Sequence, residues 1–154
     1  MENYKELKVW NLAMKVAQEV YELTLNLPQH VKFSFSDQIT RSSLSIPSNI
    51  AEGAGRSTIK EYCRFLDISN GSCFELETQL ILIERIFKVE VKNILNKVIE
   101  IQKMTYALKR SLLKLQKPNN LQLKTDNYPL KTIDFQTNNS MTNNSKTINY
   151  QLLD

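Results

Sequence analysis

The sequence predicts an all-α fold, an antiparallel up-down four-helix bundle with a disordered C-terminal tail. Three observations carry this expectation. Four segments before Lys117 repeat apolar residues at steps of three, four or seven, the rhythm of a helix that buries one stripe. Gly (3) and Pro (4) are scarce among the 154 residues, too few for the turn that an all-β fold needs about every 8–12 residues. After Lys117-Pro118 the rhythm stops and asparagine, serine and threonine take over, a composition that buries too little apolar surface to order itself.

The first helix is expected from about Lys5 to Leu27. Its lane is Val9, Ala13, Val16, Val20, Leu23 and Leu27, and Pro28 ends it. The second is expected from about Asp37 to Ala54, on Ile39, Ile46, Ile50 and Ala54, after serines that suit capping and before Gly53 and Gly55. Pro47 lies inside it. Proline lacks an amide donor and crowds the carbonyl of Ser43, so either a kink is expected there, with neighbouring serine hydroxyls serving the freed carbonyl, or a break into two pieces.

The third helix is expected from about Thr58 to Phe87. Thr58 and Glu61 have capping-box spacing, and the lane Ile59, Tyr62, Leu66, Ser69, Cys73, Leu76, Leu80, Ile83, Phe87 holds the alternation throughout. The fourth is expected from about Val89 to Gln116, on Val91, Ile94, Val98, Ile101, Thr105, Leu108, Leu112 and Leu115. Lanes of this kind pack lengthwise, the last two over roughly 40 Å. Short connections make sequence neighbours antiparallel. Residues 1–117 thus read as one bundle domain and 118–154 as the tail. Within the tail, Tyr128 to Phe135 has strand character but no partner strand, and the Asn138 and Asn143 triplets match a glycosylation pattern by chance.

The chemistry in the chain is sparse. His30 is the single histidine and falls in the expected loop after Pro28. A di-iron bundle needs a Glu-x-x-His pair on each of two helices, and neither that pattern, a CxxC zinc pair, a Walker loop nor a dinucleotide glycine pattern occurs. No cofactor, no metal and no enzymatic activity are expected. Cys63 and Cys73 stand ten apart, about 15 Å on one helix, beyond disulfide reach; they read as small buried hydrophobes. The opening MENYKELKVW has no apolar run of the signal-peptide type, and no stretch approaches the roughly 20 apolar residues of a membrane span. A cytoplasmic location is expected.

Three surfaces call for a partner. On the third helix Phe65, Ile68, Phe74, Ile81, Leu82 and Ile86 fall outside the lane, and Leu80 to Ile83 is apolar almost all round. That implies burial on several sides, by self-association or under loops and tail. The fourth helix separates charge: from Lys88 to Lys117 there are eight basic and two acidic residues. Lys88, Lys92, Lys103, Tyr106, Arg110, Lys114 and Lys117 share a stripe opposite the apolar lane. A basic stripe with an aromatic suits a phosphate backbone; it equally suits a solvated face. On the second helix Ser42, Ser45, Asn49, Glu52 and Arg56 form a polar stripe, with Glu52 and Arg56 as a favourable i,i+4 pair. It reads as a hydrogen-bonded seam or as a small polar binding site. Gly71, beside Ser69 and Ser72, reads as a place where another backbone comes close, or as a ligand contact.

The middle of the chain carries a resemblance. Arg41-Ser42-Ser43-Leu44-Ser45-Ile46-Pro47-Ser48-Asn49-Ile50-Ala51-Glu52-Gly53, then Arg56, Phe65-Leu66, Asn70-Gly71-Ser72 and Glu75-Leu76-Glu77 resemble the bacterial four-helix-bundle proteins encoded in intervening sequences of 23S ribosomal RNA genes. The opening Leu7-Lys8-Val9-Trp10 also fits, so the resemblance covers roughly residues 3 to 116. It implies a bundle that assembles into a ring-like homopentamer, similar to the accessory proteins of diversity-generating retroelements, which partner a reverse transcriptase and bind nucleic acid. In the family motif the positions of Arg41, Ser45, Asn49, Glu52, Gly53 and Arg56 recur. The resulting expectation is a non-enzymatic, oligomeric RNA- or DNA-binding protein using the basic stripe of the fourth helix. The alternative is a protein-interaction scaffold that docks a partner such as a polymerase or a ribosome-associated factor.

Overall fold

The computed structural model describes residues 3–116, with the backbone alone over 29–34. The expectations for Lys117, the tail, the Tyr128–Phe135 segment and the Asn138 and Asn143 triplets lie outside the described residues. A 3-10 turn, Tyr4–Glu6, leads into four helices: α1 (Lys8–Leu25), α2 (Gln29–Ala54), α3 (Ile59–Phe87) and α4 (Lys92–Leu115). Each packs on its neighbour in order, and α4 closes the ring on α1. Paired positions rise along one helix as they fall along the next. Ser42 meets Gln79 and Ser45 meets Ser72 across α2 and α3, while Asp67 meets Lys109 and Glu77 meets Gln102 across α3 and α4. Neighbours of this kind run antiparallel, as short connections require. The four-helix bundle read from the sequence is the observed fold.

The predicted lanes form the core. Val9, Ala13, Val16 and Val20 of α1 meet Ile39, Ile46 and Ile50 of α2, Leu66, Cys73, Leu76, Leu80 and Ile83 of α3, and Ile94, Val98 and Ile101 of α4. At α3 one half of the expected capping box forms, and the Glu61 carboxylate takes the Thr58 hydroxyl in place of the Thr58 amide. The Thr58 hydroxyl accepts from the Glu61 amide at 3.2 Å and donates to the Glu61 carboxylate at 2.9 Å.

Several expectations need correction. α2 begins at Gln29, directly after Pro28, so His30 lies in its first turn and not in a loop. No glycine or proline interrupts residues 29–36, and proline just ahead of a helix costs no bond. Phe35 packs edge-on against Phe87, ring centroids 5.9 Å apart; such tertiary contact outweighs the weak propensities of serine and phenylalanine. α2 also runs unbroken through Pro47. Neighbouring hydroxyls do not serve the Ser43 carbonyl: Ser42, Ser43 and Ser48 donate to the carbonyls of Ile39, Thr40 and Leu44. α3 ends at Lys88, whose φ of 55° is left-handed and whose amide donates to the Glu84 carbonyl at 2.9 Å. That turn delays α4 to Lys92 and leaves Lys88 off the fourth helix.

The two helical glycines differ in what surrounds them. A Cβ on Gly53 would stand 2.7 Å from a ring carbon of Tyr62 and 2.9 Å from Phe65 Cβ, so glycine lets the end of α2 approach α3. Gly71 is different from expectation: a Cβ there meets nothing within 4 Å, so no backbone approaches it. Gly71→Ala is therefore expected to raise stability by about 1 kcal/mol through helix propensity. Gly53→Ala should lower it by roughly 1–3 kcal/mol through overpacking. Urea unfolding of both variants checks the opposite signs; equal signs would contradict the packing described.

Both cysteines are free and buried. Burial, with a smaller contribution from the Glu77 carboxylate, pushes the Cys73 thiol up to about 12. In the folded protein Cys73 should resist iodoacetamide at about pH 8.5 and react once the chain is unfolded in urea. The sign of its linkage follows. The folded state keeps a proton that the unfolded chain releases, so this group's stability is intact below the ordinary value of 9.0 and is lost as pH climbs from there towards about 12. Cys73→Ala should flatten that alkaline loss, and an unchanged slope would refute the assignment.

Candidate nucleic-acid interface

α4 sorts its cations into two sets. Lys97 and Lys109 lean towards the neighbouring helices. Lys97 Nζ lies 2.5 Å from Oε1 and 2.6 Å from Oε2 of Glu19 on α1, and Lys109 Nζ lies 2.5 Å and 2.7 Å from the two carboxylate oxygens of Asp67 on α3. Both charges are neutralised locally and tie α4 into the bundle. Lys92, Lys103, Arg110 and Lys114 point the other way. All four are exposed, and among the described residues none has a carboxylate within ion-pair distance. Lys92 and Arg110 are 18 positions apart, about five helical turns, so they share one line. Lys103 and Lys114 stay within about 40° of it. The row spans roughly 33 Å of helix.

The structure thus places five of the seven predicted stripe residues together on the outer face of α4: these four cations and Tyr106, which is 65% exposed. Lys88 is not among them, because it caps α3, and Lys117 lies outside the described residues. Sequence reasoning missed Ile99 and Leu113, which are also exposed on this face. They flank Tyr106 at intervals of seven, a signal present in the sequence but masked by the stronger core lane.

The polar stripe of α2 is a seam within the chain. Ser45 Oγ accepts from Asn49 Nδ2 and from Ser72 Oγ, each at 2.9 Å. Ser69 Oγ reaches the Ile46 carbonyl at 3.1 Å, and Ser42 Oγ lies 2.7 Å from Gln79 Oε1. Small hydroxyl residues let α2 and α3 approach closely and satisfy one another's polar groups. Ser45 and Asn49 are half-buried, whereas Arg41, Glu52 and Arg56 are exposed at the rim. Arg56 bonds Glu52 and lies 4.6 Å over the Phe65 ring, holding the α2–α3 corner closed.

Two other surfaces stay open. On α3, Leu80 and Ile83 are buried but Leu82 is 44% exposed, and Ile68, Phe74 and Ile86 are exposed with it. Among the described residues the burial expected on several sides is met in part: Phe65 and Ile81 are half-buried, and nothing covers the other four. Between α1 and α2 runs an open, mostly apolar groove of about 470 Å³, bounded by Met14, Tyr21 and Leu44 with Lys15, Gln18 and Thr40 at its edges. Met14 and Leu44 also border a smaller one with Trp10 and Pro47. Among the described residues no group of carboxylate, histidine or cysteine side chains is placed to hold a metal, and no helix is long and apolar enough to cross a membrane.

The comparisons with known proteins agree with this architecture. A comparison with curated proteins gives no match. A solved structure from Bacteroides thetaiotaomicron VPI-5482, a protein with unknown function from the S23 ribosomal protein family, shares the fold with a TM-score of 0.62 and 24% identity, covering 66% of this chain and 98% of its own. The family model described as 23S rRNA-intervening sequence protein matches residues 5–107, which takes in all of α1, α2 and α3 and most of α4. With the motif of α2 and α3 built into the inter-helix seam, the chain belongs to the family of 23S rRNA-intervening sequence proteins.

Proposed function

We propose that this chain is a non-enzymatic nucleic-acid-binding protein, directed to RNA, that binds through the outer face of α4 and works as an assembly of several copies. One observation carries the reading: Lys92, Lys103, Arg110 and Lys114 form a row with no carboxylate partner among the described residues, although the same helix neutralises Lys97 and Lys109. A row of unpaired cations attracts a polyanion and gains from releasing its condensed counterions. Repetition of the row on several copies multiplies the affinity through effective concentration. The exposed Ile68, Phe74, Leu82 and Ile86 of α3 support such an assembly, since large apolar side chains in water gain from being covered.

The test is a salt series of RNA affinity for the full chain. Four phosphate contacts per copy predict a slope of log affinity on log salt of about −3. Absence of binding at low salt would remove the proposal. The second reading, a scaffold that docks a protein, rests on the α1–α2 groove with Met14, Tyr21 and Leu44. It predicts partner capture that survives moderate salt and fails when Leu44 is replaced by Glu.

A further inference from the structure

We propose that the RNA taken by α4 is single-stranded, and that Tyr106 is the platform on which a base stacks. The inference rests on the reading of α4 as an RNA-binding face. It adds the form of the nucleic acid and the residue that discriminates it. The observation is that the outer face of α4 carries two parallel lanes. One is the cation row. The other is apolar: Ile99, Tyr106 and Leu113, respectively 36%, 65% and 42% exposed. Residues seven apart on a helix lie nearly above one another, about 10.5 Å between successive members. Tyr106 stands three positions after Lys103 and four before Arg110, with a cation within about one turn on either side.

Such a pair of lanes matches the two sides of a single strand. A single strand offers a charged backbone along one edge and unstacked base faces along the other. Stacking on an aromatic ring is tolerant of sequence because every base has a π-face. A duplex presents a different surface. Its base faces are stacked inside, and proteins reach it through phosphates and 2′-hydroxyls. A duplex would use the cation row and leave Ile99, Tyr106 and Leu113 in contact with nothing apolar. The ring of Tyr106 makes no aromatic or cation–π contact among the described residues, and its exposure leaves its face free for a base.

Fluorescence anisotropy on the full chain tests this with labelled oligouridylate, and with a duplex RNA of the same length, at several salt concentrations. The wild type should prefer the single strand. Tyr106→Ala should weaken single-strand binding by roughly 5- to 150-fold, with an unchanged salt slope, because the phosphate contacts remain. It should leave duplex binding unaltered. Tyr106→Phe keeps the ring and should restore the single-strand affinity. Duplex preference in the wild type, or a Tyr106→Ala variant that binds as tightly as the wild type, would overturn the stacking role and leave the proposed function standing. A change in assembly size for Tyr106→Ala, read by light scattering, would also overturn it, because the lane would then be an interface between copies. A wild type that binds neither RNA would instead overturn the proposed function itself.

Discussion

Replacing Lys103, Arg110 and Lys114 together with Glu is expected to abolish RNA binding at moderate salt and to leave the helical circular dichroism signal intact. These side chains are exposed and have no carboxylate partner among the described residues, so no ion pair of the described fold is lost when they change. The binding face loses three cations and gains three anions. Three lost phosphate contacts alone should reduce the magnitude of the salt slope by about 2, before repulsion is added. A charge-matched control belongs beside it. Lys60, Arg64 and Arg85 are exposed on α3, and their reversal alters net charge equally without touching α4. If both triple variants lose affinity alike, attraction is a matter of net charge and no stripe exists.

Leu80→Ala should cost about 2–5 kcal/mol, the range for a fully buried leucine whose cavity collapses only in part. Leu80 has no exposed surface and lies in the core between Leu76 and Ile83. Two residues along the same apolar run, Leu82 is 44% exposed, so Leu82→Ala in a lone chain should stay within about 0.5 kcal/mol. Denaturant unfolding at several protein concentrations reads both. A cost at Leu82 that grows with concentration would place it under a second copy. Equal costs at the two positions at high dilution would contradict the orientation of α3.

Most of the bundle was legible because a helix buries one stripe, and each stripe repeats visibly along the chain. Val16, Ile46, Leu80 and Val98 were read as core and are completely buried. The Thr58–Glu61 cap was equally legible, since both partners lie within one turn. The candidate site was partly legible. Spacing alone put Lys92, Lys103, Tyr106, Arg110 and Lys114 on one face, and the structure places them there. Lys88 was misplaced because the left-handed turn that ends α3 falls on a lysine, without the glycine that usually announces such a turn. Ile99 and Leu113 escaped notice because outward apolar residues break no pattern.

Local sequence settles what repeats or caps within a few turns: the helices, their buried faces, and the side of α4 on which the cations gather. Those features follow from a fixed 100° step between residues and need no knowledge of neighbours. Contacts between distant positions were decided by the packed molecule. Packing joined Glu19 to Lys97 and Asp67 to Lys109, which singled out the cations left without a carboxylate among the described residues. It turned the serines of α2 and α3 into one seam, and it made Gly53 a close approach while leaving Gly71 open. The reason is distance along the chain: each of these depends on how two helices settle side by side, and that registry is set by the whole core at once.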